Sequence, residues 1–423
     1  MTDLNRNLAP EFNPIKQVTL LPYEKIVLNN ATPHYILKQT GSGVCKIEWI
    51  FDAGFVYQSK PLLAYFTNQM LENGTKTKSN SEFNAALDAL GSYLELHCDQ
   101  DTAMVTLYSL TKFTKESILL IYEMLSNPAF SEDEFERYKQ QQIQEYLIQS
   151  QKVSFQARRL FSNKYFGASH PYAVSSEISD FKAINVLDIK DFFKQRYTHA
   201  LKMVFSSGDL PESIHEFVQS FTFPSANALI NNIPAPNSAP GQHWHLMPDK
   251  IQCALRVGMP WVNRSHPDYF HLQFLNMLFG GYFGSRLMSN IREDKGYTYG
   301  IGSSVQHYKH HSFLIISTEV DASYSNNTIK EIKHEIQLLQ NERCKLQEIE
   351  TVRNFLLGNL LRQMDGIFNQ SDVYKTLLLS ELSNNYYQSF ANHLYQINPE
   401  RIQQLAQKYF SFENLVVCGA GKV

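Results

Sequence analysis

The residue types that hold metals or act as nucleophiles are spread through this 423-residue chain rather than gathered at motif spacings. Among its 14 histidines none stands in H-E-x-x-H or H-x-x-E-H, the arrangements that place two imidazoles one helical turn apart. His307, His310 and His311 cluster in QHYKHHSF, which reads as a hairpin turn with exposed ends. His243 and His245 flank Trp244 on a strand, so that both face the same way. Both groups read as structural. The five cysteines (Cys45, Cys98, Cys253, Cys344, Cys418) are odd in number, far apart and never in C-x-x-C. Buried free thiols are expected rather than a disulfide framework or a cysteine zinc site. GAGKV at the end of the chain lacks the first glycine, the Ser or Thr and the helix of a phosphate loop, and GGYFG is no dinucleotide fingerprint.

Composition removes further classes. The net charge of -3 comes from 38 basic and 41 acidic residues without a long run of either sign, so neither nucleic acid nor an anionic membrane is an expected partner. MTDLNRNLAPEFNPIKQ has no apolar core of signal-peptide type, and no stretch approaches the eighteen or so apolar residues of a membrane span. A cytoplasmic location is the expectation.

The elements that must position any site occur twice. QRYTHALKMVFSSGDL from Gln195 reads like QKYFSFENLVVCGAGKV from Gln407, and AYFTNQML from Ala64 like LQFLNMLF from Leu272, at nearly the same separation. The second pair sets Phe66 against Phe274 and Asn68 against Asn276. Each half has a strand, a helix, a second helix, an alternating hairpin and a further helix, followed by a long helix. The long helix of the first half is expected to open at Ser131, with Glu134 completing a capping box. FPSANALINNIPAPNSAPGQ, rich in Pro and Asn, reads as a linker. The expected organisation is a first domain over 1–220, a linker over 221–245 and a second domain over 246–423. Each domain is expected to be α+β, a largely antiparallel sheet with helices on one face.

The helix LLAYFTNQMLENGTKT and the segment GGYFGSRLMSNIREDKGYTYGIGSS carry a resemblance to the pitrilysin and insulinase family of zinc peptidases, including processing-peptidase-like two-domain subunits. In that family the first helix bears H-x-x-E-H. The resemblance puts Tyr65 at the first histidine, Asn68 at the general base and Gln69 at the second histidine. It also puts Glu145 at the third ligand and Tyr138 at an acidic position seven residues earlier. A phenol and carboxamides are poor zinc ligands, and Asn68 cannot take a proton from water. Nothing in that set replaces the roughly 8-unit lowering of water's pKa that a bound zinc supplies. The resemblance therefore implies a degenerate site, with no metal expected in this chain.

The same resemblance assigns Arg292 and Tyr299 to the pair that meets the substrate carbonyl, a role that two hydrogen-bond donors suit. It implies a non-catalytic subunit forming a heterodimer with a zinc-bearing peptidase subunit of the same family. Arg292 and Tyr299 would be lent in trans, peptide or unfolded polypeptide would be the substrate, and zinc would reside in the partner. Gly280, Gly281 and Gly284 are expected as a substrate-contacting flap or a turn needing positive φ. Edge strands near Ser303 to Gln306 are expected to take an extended peptide. A catalytically dead scaffold and a homodimeric hydrolase with an unrecognised metal site are the alternatives.

Overall fold

The computed structural model describes residues 15, 17–173, 175–221, 224 and 232–422. Strands β1 (Glu24–Val27), β2 (Pro33–Lys38), β3 (Val44–Phe51), β4 (Tyr93–Cys98), β5 (Ala103–Leu110) and β6 (Leu201–Gly208) make one sheet, in the order β1-β2-β6-β3-β5-β4. Strands β7 (Gly241–Leu246), β8 (Gln252–Pro260), β9 (Thr298–Tyr308), β10 (His311–Asp321) and β11 (Val416–Gly421) make the other, in the order β7-β11-β8-β10-β9. Apart from β1, the two orders superimpose strand for strand. The one parallel ladder falls at the same place in each, β2 with β6 and β7 with β11, among otherwise antiparallel pairs. The sequence similarity around Leu201 and Val416 thus has its counterpart in β6 and β11.

Each half builds its own core. Trp49, Phe66, Phe83 and Ile121 lie among the buried residues of the first, and Leu255, Phe274, Phe279 and Ile336 among those of the second. β3, β6 and β11 are buried along nearly their whole length, which requires cover on both faces and explains their continuous apolar runs. The second cover is exchanged between halves. Helix Ile367–Leu379 of the second half lies on the first sheet, where Ile367, Val373 and Leu377 join Tyr35, Ile50 and Phe205 in one cluster. Reciprocally, helix Val153–Phe166 of the first half lies on the second sheet, with Phe161 and Tyr165 against Phe313 and Val416. Gly258 makes room for it, since a Cβ there would stand 2.5 Å from Phe161 Cζ.

Ionic and polar ties reinforce this exchange. On β3, Lys46 and Glu48 are both buried and meet helix Ile367–Leu379: Lys46 Nζ lies 3.2 Å from Glu48 and 2.9 Å from Asp372, and Lys375 Nζ 2.5 Å from Glu48 and 3.0 Å from Asp372. The tip between β9 and β10 docks on the first half, where Asp101 accepts from the Lys309 N–H at 2.8 Å and from the Tyr172 hydroxyl at 2.7 Å.

Three local expectations are corrected. Ser131 precedes helix Glu132–Ser150 but its side chain makes no cap bond, and the Glu134 carboxylate that would complete a box pairs with Arg137 one turn on; a full box forms at Ser79 and Glu82 of helix Asn80–Ala89. Most of the expected linker's first half lies outside the described residues, and β7 opens at Gly241, inside the 221–245 stretch, because its backbone finds β11 as a parallel partner. Residues Val18 and Leu21 of the expected first domain donate their N–H groups to Gln388 and Gln370 of the second half, each at 2.8 Å. Among the described residues no helix is long and apolar enough to cross a membrane.

Candidate functional site

Helix Leu63–Gln69 continues as one 3-10 turn over Met70–Glu72 and packs beside the edge strand β4. Asn68 is fully buried there. Its Nδ2 donates to the Tyr197 hydroxyl at 3.1 Å and towards the Met104 carbonyl at 3.4 Å, and its Oδ1 accepts from Gln69 Nε2 at 3.2 Å. Gln69 Nε2 also reaches the Leu96 carbonyl of β4 at 3.2 Å. The Tyr65 and Tyr138 hydroxyls meet at 3.0 Å. Burial first, and then the Tyr65 hydroxyl, holds Tyr138 well above the ordinary phenol range. A phenol bonded to Tyr138 and two carboxamides bonded to each other and to β4 do not form a zinc ligand set. Among the described residues no three His, Cys, Asp or Glu side chains converge where a metal would sit.

Asn276 corroborates this reading of Asn68. It occupies the duplicate helix Tyr269–Asn276, is buried, and accepts from the Ser303 hydroxyl at 2.7 Å. In both halves an asparagine at this place ties helix to sheet. Glu145 lies on the exposed face of helix Glu132–Ser150, and its carboxylate accepts from Gln149 one turn on, the ordinary arrangement of a solvated helix residue.

The second half presents a different constellation. Arg292 lies in a π-helical stretch, Met288–Asp294, and Tyr299 near the start of β9. The Arg292 guanidinium stands 4.6 Å from the Phe283 ring centre and 5.4 Å from that of Tyr299. It makes no ion pair with Glu293 or Asp294; two aromatic faces hold it instead. Tyr299 is 92 % exposed and Phe283 62 %, so the trio projects from the surface. Gly296, with φ 64°, turns the chain between helix and strand and allows this approach.

The glycine run departs from expectation. Gly280 and Gly281 end a π-helical turn, Met277–Gly281, and neither they nor Gly284 has positive φ. Space is lacking at Gly280, where a Cβ would lie 2.6 Å from Ser303 Oγ, whereas at Gly281 and Gly284 the near atoms are the movable side-chain ends of Met277 and Tyr282, at 3.0 and 2.8 Å. The histidine cluster is corrected as well. His310 is exposed, but His307 bonds Ser312 and Tyr269 at 2.9 and 3.0 Å and is brought by burial and then Arg264 to a pKa of about 3. His311 bonds Tyr165 at 2.8 Å and falls to about 4 through burial and then His170. They are seated against neighbouring helices rather than free at a hairpin end. His243 bonds the Ala239 carbonyl at 2.7 Å, and His245 is exposed.

Around Tyr299 a hollow of about 580 Å³ runs over β8 and β10, and a second of about 540 Å³ lies between helix Val153–Phe166 and the second sheet; Arg256 and Ser317 line both. Strand alternation sends Ser303 into the core and Ser304 and Gln306 into the second hollow. Sequence reasoning missed Phe283 and Arg256. The signal for Arg256 was the alternation Ala254, Arg256, Gly258, which sets one long cation between two small residues on the face opposite the core.

Comparison with known proteins follows the same outline. Residues 36–167 match the family model "Insulinase (Peptidase family M16)", and residues 183–356 match "Peptidase M16 inactive domain". The non-peptidase homolog YmxG of Helicobacter pylori is 21 % identical over 84 % of this chain and 83 % of its own length. The human mitochondrial-processing peptidase subunit beta is 21 % identical over 78 % of this chain and 70 % of its own. A crystal structure of a peptidase M16 inactive domain from Pseudomonas fluorescens superimposes with a TM-score of 0.84 and 22 % identity, covering 95 % of this chain and 99 % of that one.

Proposed function

Since the chain belongs to the insulinase (M16) peptidase family, we propose that it is a non-catalytic subunit that pairs with a zinc-bearing relative, helps to bind peptide or unfolded polypeptide, and presents Arg292 and Tyr299 to the substrate carbonyl in the partner's cavity. One contrast carries this reading. The place of the family's zinc motif is taken by Tyr65, Asn68 and Gln69, bonded to Tyr138, Tyr197 and Leu96, whereas Arg292 and Tyr299 stand together with no carboxylate partner among the described residues. A guanidinium set between two aromatic faces, with a phenol beside it, supplies donors for an oxygen that gains negative charge.

Two further observations support the pairing. One relative is by its name a subunit and another a non-peptidase homolog. A 92 % exposed tyrosine beside a 62 % exposed phenylalanine is an apolar surface suited to cover by another chain. A cytoplasmic setting belongs to the same proposal, consistent with five cysteines that remain free thiols.

The test is reconstitution with a zinc-bearing relative. Activity is expected in the mixture and absent from this chain alone. Arg292→Ala should lower turnover on the order of a hundredfold, roughly 3 kcal/mol in the transition state, with assembly unchanged by size-exclusion chromatography. Unchanged turnover rejects the role of Arg292. Stable assembly without activity in any mixture assigns the chain to a scaffold.

A further inference from the structure

Beside the Arg292 and Tyr299 surface, the hollow between helix Val153–Phe166 and the second sheet has a one-sided charge. Arg158, Arg159 and Arg256 line it, and no Asp, Glu or Lys does. Arg159 is paired with Glu177. Arg158 and Arg256 have no carboxylate within ion-pair distance among the described residues. Arg158 lies over the Phe155 ring at 5.5 Å, and Arg256 spends one donor on the Leu255 carbonyl at 2.9 Å. Arg256 is partly desolvated: burial lowers its pKa, Glu319 opposes this, and the neighbouring Arg158 adds to it. Two guanidiniums thus share a hollow in which Arg158 raises the cost of the charge on half-buried Arg256, a cost that an incoming anion offsets.

The rest of the wall suits a peptide. Phe155, Phe166, Tyr172 and Phe313 supply apolar faces, and Ser304 and Gln306 supply hydrogen-bonding groups. The volume of about 540 Å³ lies in the range of ligand sites. Because Arg256 and Ser317 also line the hollow that contains Tyr299, a chain lying past Tyr299 has a continuous path into it. There the lining changes sign, with Glu319 and Asp321 at the Tyr299 end.

We propose that this hollow is a subsite for a peptide carboxylate, held by Arg158 and Arg256, and that it selects segments bearing an acidic side chain or a free C-terminus. The subsite rests on the placement of peptide beside Tyr299 proposed above, but it is read out by binding to this chain alone and needs no partner or turnover. Arg256 and Ser317 form the wall that the two hollows share, so charge at one end sets which residue of the peptide lies at the other.

The test is fluorescence anisotropy of the purified chain at low salt with end-capped nonapeptides labelled with an uncharged dye. One carries a central Glu, a second Gln at that place, and a third the Gln sequence with a free C-terminal carboxylate. The Glu peptide, the free-acid peptide or both should bind roughly tenfold tighter than the capped Gln peptide; which one does so identifies the source of the carboxylate. The preference should disappear in Arg158→Gln/Arg256→Gln and remain in Arg343→Gln, an exposed arginine outside both hollows. Loss of the peptide role at Arg292 in the reconstituted complex, with the carboxylate preference intact, would remove the proposed function and leave the subsite. Equal binding of all three peptides, no binding of any, or a preference that survives the double variant overturns the subsite. Should circular dichroism show that Arg256→Gln is unfolded, the solvent-exposed Arg158→Glu decides alone: a preference reduced threefold or more sustains the proposal, and an unchanged one overturns it.

Discussion

Asn68→Ala measures whether the residue that the family resemblance sets at the general base is part of the core. The side chain is fully buried and makes bonds to the Tyr197 hydroxyl at 3.1 Å and to Gln69 at 3.2 Å. Each such bond contributes about 1 kcal/mol net. Its loss also leaves the Tyr197 hydroxyl buried without its donor, a further cost of about 1–2 kcal/mol for a neutral group. Tyr197 cannot escape by ionising, since burial holds its phenol far above the ordinary range. The expected destabilisation is about 2–4 kcal/mol in urea titrations followed by circular dichroism. A double-mutant cycle with Tyr197→Phe should show coupling of about 1–2 kcal/mol, because the second substitution removes the group that the first leaves unpaired. A vestigial residue with no structural task would behave differently: a loss below about 1 kcal/mol, or a cycle without coupling, would refute the argument.

Two further outcomes test the electrostatics that join the halves and close the second core. Glu48→Gln leaves buried Lys46 and Lys375 with Asp372 as their shared counter-charge, and should cost about 3 kcal/mol in the same titrations; a loss under 1 kcal/mol would show that the network carries little weight. Asp268 is pushed up by burial but brought down to about 2 by Tyr409, Lys408 and Arg401. A depressed carboxyl stabilises the fold fully above its unfolded value near 4 and ceases to do so as pH falls towards 2. Wild type should therefore lose about 2 kcal/mol more than Asp268→Asn between pH 4 and 2, and parallel pH profiles would exclude the assignment.

The paired lobes were legible because the repeat is written in local pattern. Alternation in β4 and β5, helical spacing in Thr114–Ser126, and the similar ends around Leu201 and Val416 each reflect which face of an element meets its own core. The unsuitability of Tyr65, Asn68 and Gln69 for zinc was legible too, since ligand chemistry depends on residue type before geometry. That Arg292 and Tyr299 fall near each other also followed from a short segment with one positive-φ glycine, Gly296.

What the residues did with those positions was decided by packing between segments far apart in the chain. Asn68 gained a task because Tyr197, 129 positions away, brings its hydroxyl under the helix. Gly280 has no room for a Cβ because Ser303 on β9 lies against it, and His307 and His311 are bonded by Tyr269 and Tyr165 from other helices. Helix Val153–Phe166 crosses to the opposite sheet and places Arg158 beside Arg256. Periodicity records only that a residue faces inward or outward on its own element. Which group it meets there depends on how elements from both halves pack, and that is where burial, hydrogen bonding and charge acquire their values.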